Sequence, residues 1–139
     1  MSKPILWIVI PCYNEEEALP STLKRMETLM NKMLGEKLID INSRVMFVDD
    51  GSADNTWQIL KKGVGKTPFF EALRLSRNFG HQSAILAGMF DNEADIYVTI
   101  DADLQDDPDC IVEMLQKIKA GADIVYGVRR ERSSDTCLL

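Results

Sequence analysis

Asp101, Asp103, Asp106 and Asp107 follow directly on the apolar run at residues 96–100, with no lysine or arginine among them. Like charges crowded at a strand end repel, and a divalent cation with its preference for hard oxygen ligands resolves the conflict. Asp101 and Asp103 are two apart, so a pleated backbone aims both the same way. Mg²⁺ binds through one or two carboxylates plus substrate phosphates, and this pair therefore points to a metal that in turn holds a diphosphate. Asp107 reads more simply as an acid at the start of the helix entered at Pro108. A second acidic pair, Asp49 and Asp50, follows another apolar run and leads into Gly51-Ser52. The glycine and serine suit a turn and a cap for the next helix, while a second carboxylate exceeds what a turn requires. Asp49 is the residue expected to accept hydrogen bonds from a base or ribose.

The elements that must position these acids are legible as alternating runs. Residues 5–10, 44–48, 96–100 and 124–128 are short, rich in β-branched residues and mostly without alternation, as strands buried on both faces read. Residues 71–76 alternate and suit a strand nearer an edge. Leu19, Leu23, Met26, Met30 and Met33 recur at helical spacing, with Pro20 in the first turn. Ile111, Leu115 and Ile118 repeat the pattern, and Trp57 with Leu60 and residues 81–90 supply two more helices. Strand and helix alternate throughout, so the expected fold is α/β, an open, mainly parallel sheet with helices on both faces. In such sheets ligands bind outside the carboxyl ends of the strands. The polar clusters at 11–15, 49–52, 77–81, 101–107 and 129–130 all follow strands and should share one rim.

Other patterns exclude functions. Gly65-Lys66-Thr67 ends like a phosphate-binding loop, but Leu60 stands where its first glycine should be and a helix precedes it. No G-x-G-x-x-G follows the first strand, which argues against a dinucleotide dehydrogenase. A haloacid-dehalogenase-type phosphatase wants a threonine where Gln105 stands. His81, the single histidine, serves either a site or a cap. The formal charge of −6 argues against a nucleic-acid surface. Cys12, Cys110 and Cys137 lie far apart in no metal-ligand spacing, which fits a reducing, cytoplasmic setting. No apolar run approaches the ~20 residues that span a bilayer. A chain of 139 residues, 45% of them hydrophobic, suits a single domain.

Together "VIPCYNEEEALP", "VDDGSADNT", "LSRNFGHQSAILAGM" and "DADLQDDPD" resemble the family-2 glycosyltransferases of GT-A fold, and most closely their polyprenyl-phosphate branch. The resemblance runs from Ile5 to Arg132. It implies a nucleotide pocket at Pro11, Tyr13 and Glu15, with Phe47 and Asp49 beside the base. It also implies Ala102 near the ribose and diphosphate, and Mg²⁺ or Mn²⁺ on Asp101 and Asp103 with Gln105 completing the environment. Asp103 and Arg129 would carry the chemistry, Arg129 near the diphosphate. The implied reaction moves a sugar with inversion from a nucleotide sugar, UDP favoured over GDP, to a polyprenyl phosphate. A sugar-hydroxyl acceptor or a nucleotide-binding module without turnover are the alternatives. The branch normally continues into acceptor-binding elements and membrane helices. The chain is therefore expected to be the donor-binding part of a longer, membrane-attached protein on the cytoplasmic face, binding donor without transferring sugar to lipid.

Overall fold

The computed structural model describes residues 2–90, 92–105, 107–131 and 134–138, with side chains through residue 127. The chain divides into two compact units, Met1–Asp103 and Leu104–Leu139. The first holds β1 (Leu6–Cys12), α1 (Leu19–Gly35), β2 (Arg44–Asp49), α2 (Thr56–Lys66), β3 (Phe70–Arg74), α3 (His81–Met89) and β4 (Ile96–Thr99). The four strands form one parallel sheet in the order β3-β2-β1-β4. Parallel neighbours need crossovers, and the helices between them supply these. The alternating run at 71–76 is indeed a flanking strand, and β1 and β2 at the centre are buried along nearly their whole length.

Pleating sends alternate residues of β1 and β2 to opposite faces. On one face Trp7, Val9, Met46 and Val48 form a cluster with Ala84 of α3. Gly88 lets α3 approach this face, since a Cβ there would lie 2.5 Å from Val9 and 2.9 Å from Val48. On the other, Phe47 meets Phe70 edge-on with centroids 5.2 Å apart. α1 buries Leu19, Met26, Leu29, Met30 and Met33, the spacing read from sequence, and Pro20 sits in its first turn. Leu23 packs over Gly63 of α2 at 3.2 Å from where a Cβ would stand.

The second unit contains α4 (Cys110–Lys119) and an antiparallel hairpin of β5 (Val128–Glu131) and β6 (Ser134–Leu138). The expected strand at 124–128 is corrected here. Residues 124–127 carry no strand, and Ile124 and Tyr126 are 69% and 75% exposed. An unalternating apolar run becomes a central strand only where both faces are covered, and these side chains are not. At the start of α4, Asp107 Oδ1 accepts the Asp109 N–H at 3.0 Å, in keeping with its helix-start reading. Among the described residues no helix is long and apolar enough to cross a membrane.

Candidate functional site

The carboxyl ends of β1, β2, β3 and β4 open onto one cavity of about 580 Å³. Its walls are Pro11, Cys12, Tyr13 and Glu15 after β1, Asp50 after β2, Asn78, Gly80 and His81 after β3, and Asp101, Ala102 and Asp103 after β4. The volume suits a small ligand. Six of the residues singled out in the sequence for the donor, Pro11, Tyr13, Glu15, Asp101, Ala102 and Asp103, are brought together there.

Backbone conformation and latching hydrogen bonds fix the first three walls. Asn14 adopts a left-handed φ of 51°, a conformation asparagine tolerates. Its N–H donates to Ser52 Oγ at 2.8 Å, and its Oδ1 accepts the Ala53 N–H at 2.8 Å. Glu15 N–H donates to Thr56 Oγ1 at 2.9 Å and Glu16 N–H to Asp54 Oδ2 at 3.2 Å, while Glu16 Oε2 accepts the Asn55 N–H at 3.0 Å. Ser52 thus tethers the β1 loop instead of capping the helix through Trp57, whose N-cap position is Asn55. The third wall is held by Asp50, which is 3% exposed. Its Oδ1 accepts the Phe79 N–H at 2.8 Å and its Oδ2 the Gly80 N–H at 3.1 Å. Gly51, at φ 71°, is where this turn presses on the β3 loop: a Cβ there would lie 2.4 Å from backbone atoms of Arg77 and Asn78.

Asp49 and Phe47, expected beside the base, are both 0% exposed and stand behind the wall. Asp49 Oδ1 accepts the Ser52 N–H at 3.0 Å. Its Oδ2 lies 3.5 Å from Arg74 Nε, an ionic contact without hydrogen-bond geometry, which leaves that buried oxygen without a hydrogen-bond partner. The acid of this pair on the cavity is Asp50. The doublet's sequence could not say which member faces inward.

The fourth wall faces the Glu15 carboxyl of the first. Burial, then the charges of Asp103, Asp101 and Asp54, push the Glu15 carboxyl above its ordinary value. Asp101 Oδ1 is 3.8 Å from His81 Nε2, and both side chains are more than half exposed. His81, undecided in the sequence, opens α3 behind Gly80 at φ 103° and faces the cavity. Cys12, Asn78 and Gly80 were not singled out. Asn78 and Gly80 lie within the polar run after β3, which was their signal. Burial, with Glu15 and Asp49 nearby, pushes the Cys12 thiol up, and it stays a neutral donor to Ile10 O at 3.5 Å. Gln105 belongs to the second unit. Asp106 and the side chain of Arg129 lie outside the described residues.

Among the described residues no group of three or more His, Cys, Asp or Glu side chains is disposed to hold a metal. Asp101 and Asp103 give two hard oxygen donors beside an open cavity. That set is short of an all-protein cage and fits a cation whose remaining ligands come from a phosphate-bearing ligand and water.

The profile of glycosyl transferase family 2 matches residues 7–137. The chain is 43% identical over 137 residues to the uncharacterized glycosyltransferase YkoT of Bacillus subtilis (strain 168), covering 97% of this chain and 41% of that protein. It is 35% identical over 128 residues to the bactoprenol glucosyl transferase of Shigella phage SfX, covering 92% and 40%. The chain thus spans about two-fifths of the length of these relatives. Among solved structures, the mannosyltransferase PcManGT from Pyrobaculum calidifontis, in complex with GDP-Man and Mn²⁺, superimposes with a TM-score of 0.69 at 19% identity, over 92% of this chain and 36% of that one. At that identity the likeness speaks for the fold.

Proposed function

We propose a donor, an acceptor and a metal for this chain on the premise that it belongs to glycosyl transferase family 2 and is a glycosyltransferase. The donor is a nucleotide diphosphate sugar, UDP favoured, and the acceptor is a polyprenyl phosphate. Support for the acceptor is the similarity to the bactoprenol glucosyl transferase, whose name gives a lipid and a glucosyl group. One observation carries the donor reading: two exposed carboxylates and a third, raised by burial and by their charges, converge on a cavity at the strand ends.

In this reading Pro11 and Tyr13 line the base side, with Asp49 acting there through the turn it holds at Ser52 and Phe47 through its packing on Phe70 beneath. Asp101 and Asp103 would hold Mg²⁺ or Mn²⁺ together with the diphosphate, with Gln105 beside them. When bound, that cation supplies positive charge to the leaving diphosphate. Ala102 passes close to the ribose and diphosphate, and Arg129 is assigned a second positive contact there. The acceptor oxygen forms a bond to the anomeric carbon as the bond from that carbon to the donor diphosphate breaks, so UDP leaves and the centre inverts. A phosphate monoester has its second pKa near ~6, so the acceptor is mostly dianionic at neutral pH and needs no base. The whole protein is proposed to work at the cytoplasmic face of a membrane.

The test is a calorimetric titration of UDP in Mn²⁺ and in EDTA, followed by transfer from UDP-glucose to undecaprenyl phosphate in detergent. Tighter binding in Mn²⁺ supports the reading. Equal affinity in both overturns the metal assignment, and tighter GDP binding overturns the base. Transfer to a sugar hydroxyl but not to the lipid overturns the acceptor. If the acceptor site lies outside these residues, the chain binds donor and makes no lipid-linked product until extended.

A further inference from the structure

We propose that Thr22 of α1 is a positioning residue for Asp101 and Asp103. Thr22 is 1% exposed and is not on the cavity wall. A threonine hydroxyl within a helix commonly returns its proton to the carbonyl four residues back. That option exists here, at 3.1 Å from Ala18 O. Yet Thr22 Oγ1 lies closer, at 2.5 Å, to the carbonyl oxygen of Ala102, eighty positions away. A hydroxyl has one proton, and the shorter contact claims most of it. Ala102 is itself 2% exposed, so water does not take over as donor.

The residue so held is the one between the two acids. Its carbonyl fixes the plane of the peptide joining Ala102 to Asp103, and a planar peptide passes that orientation on to the Cα of Asp103. The hold matters because the strand beneath buries no side chain fully. β4 alternates between half-buried and exposed residues, whereas β1 is buried throughout. Just past β4, Ile100 N–H still donates to Val9 O at 3.3 Å. Leu104, immediately after Asp103, takes a left-handed φ of 49°, which a branched side chain adopts only under constraint. α1 is the opposite case, anchored by five buried apolar side chains. Thr22 therefore ties the turn of the two acids to a rigid element, as a site needing fixed ligand geometry requires.

The inference rests on the metal reading of Asp101 and Asp103, and the test separates the two. Thr22→Val removes the hydroxyl at nearly constant shape, and Thr22→Ser retains it. UDP affinity is measured for both and for the wild-type chain, in Mn²⁺ and in EDTA, with thermal unfolding as a fold check. Partners that orient metal ligands are typically worth ~10–100-fold. Thr22→Val should lose about tenfold or more of the Mn²⁺-dependent gain while its affinity in EDTA stays within about twofold, and Thr22→Ser should recover most of that gain. A wild-type chain without any Mn²⁺ gain overturns the metal reading, and this inference with it. A wild-type gain kept intact in Thr22→Val overturns the inference alone. So does equal loss in Mn²⁺ and EDTA, which marks general packing, or a serine variant as impaired as the valine.

Discussion

Two aspartate pairs follow apolar strands, and the molecule gives them opposite surroundings. Asp49 and Asp50, after β2, are 0% and 3% exposed, and their oxygens meet Ser52, Phe79 and Gly80 N–H groups and Arg74. Asp101 and Asp103, after β4, are exposed on the cavity. A buried carboxylate must be paired within the protein, because desolvating an unpaired charge is prohibitive. An exposed one keeps its hydration and needs no such pairing. The difference between these two pairs is thus one of burial, while the residue type and its place after a strand are the same.

The largest expected effect breaks the first pair. Asp50→Ala strips two backbone N–H groups of a charged acceptor at once. Hydrogen bonds to charged groups contribute ~1.5–3 kcal/mol each, so a loss of roughly 3–6 kcal/mol is expected, seen as a lower urea midpoint. Amide exchange at Phe79 and Gly80 should speed up along with it. Unchanged stability would show that the β3 loop is held by the Gly51 contact alone. Next in size is the mirror experiment on the second pair. Asp101→Asn and Asp103→Asn should leave unfolding within ~0.5 kcal/mol of wild type, as exposed substitutions do. Each should weaken UDP binding in Mn²⁺ by about a hundredfold, or ~2.7 kcal/mol. A large stability loss in either would place that acid with the first pair.

Strand existence was legible because β1 and β2 are buried on both faces and leave no polar alternation to confuse them. The helix of Leu19, Met26, Met30 and Met33 was legible for the complementary reason, a single apolar stripe. The run at 124–128 misled because composition reports what a segment can bury and not whether a neighbour covers it. The site was legible down to its acids and no further. Adjacent Asp49 and Asp50 differ only in that the first still pairs within the sheet, opposite Cys12 and Arg74, and a doublet in one sequence does not reveal where the strand stops. Ser52 looked like a cap because serine before a helix usually is one, and its tie to Asn14 depends on two loops meeting in space. Thr22 gave no signal, since a threonine among core positions of a helix is ordinary until its distant partner is seen.

A smaller effect separates Asp49 from the cavity. Asp49→Asn keeps an oxygen for the Ser52 N–H and removes the charge facing half-exposed Arg74. A partly exposed pair contributes little, and about 1 kcal/mol of stability should be lost. UDP and inorganic pyrophosphate should then bind as they do to wild type. If UDP weakens while pyrophosphate does not, Asp49 reaches the base directly and the buried pair is not purely structural.

The smallest expected effect has opposite signs in the latch and in the cavity. At Asp54, burial raises the carboxyl, but hydrogen bonds from the Thr56 hydroxyl, the Thr56 N–H and the Glu16 N–H outweigh it and hold it below its ordinary value. An acid lowered by folding contributes stability above its unfolded pKa and loses it as pH falls through the folded value. Glu15 is the reverse: raised by burial and by Asp103, Asp101 and Asp54, it contributes most below its unfolded pKa and loses that share as pH rises through its folded value. Urea midpoints for wild type, Asp54→Asn and Glu15→Gln, taken from about pH 3 to 7, read both signs against ordinary carboxyl values near ~4. Asp54→Asn should be less stable than wild type by a few tenths of a kcal/mol at neutral pH, screened as it is by solvent, with the gap closing toward the acid end. Glu15→Gln should be slightly more stable at neutral pH and indistinguishable near the acid end. Adding Mn²⁺ with UDP at neutral pH should narrow the advantage of Glu15→Gln without abolishing it, because a cation at Asp101 and Asp103 offsets their share of the repulsion while burial still raises Glu15. Parallel midpoint curves for all three chains would mean that latch and cavity acids share one electrostatic environment, and the contrast between the two regions would not hold.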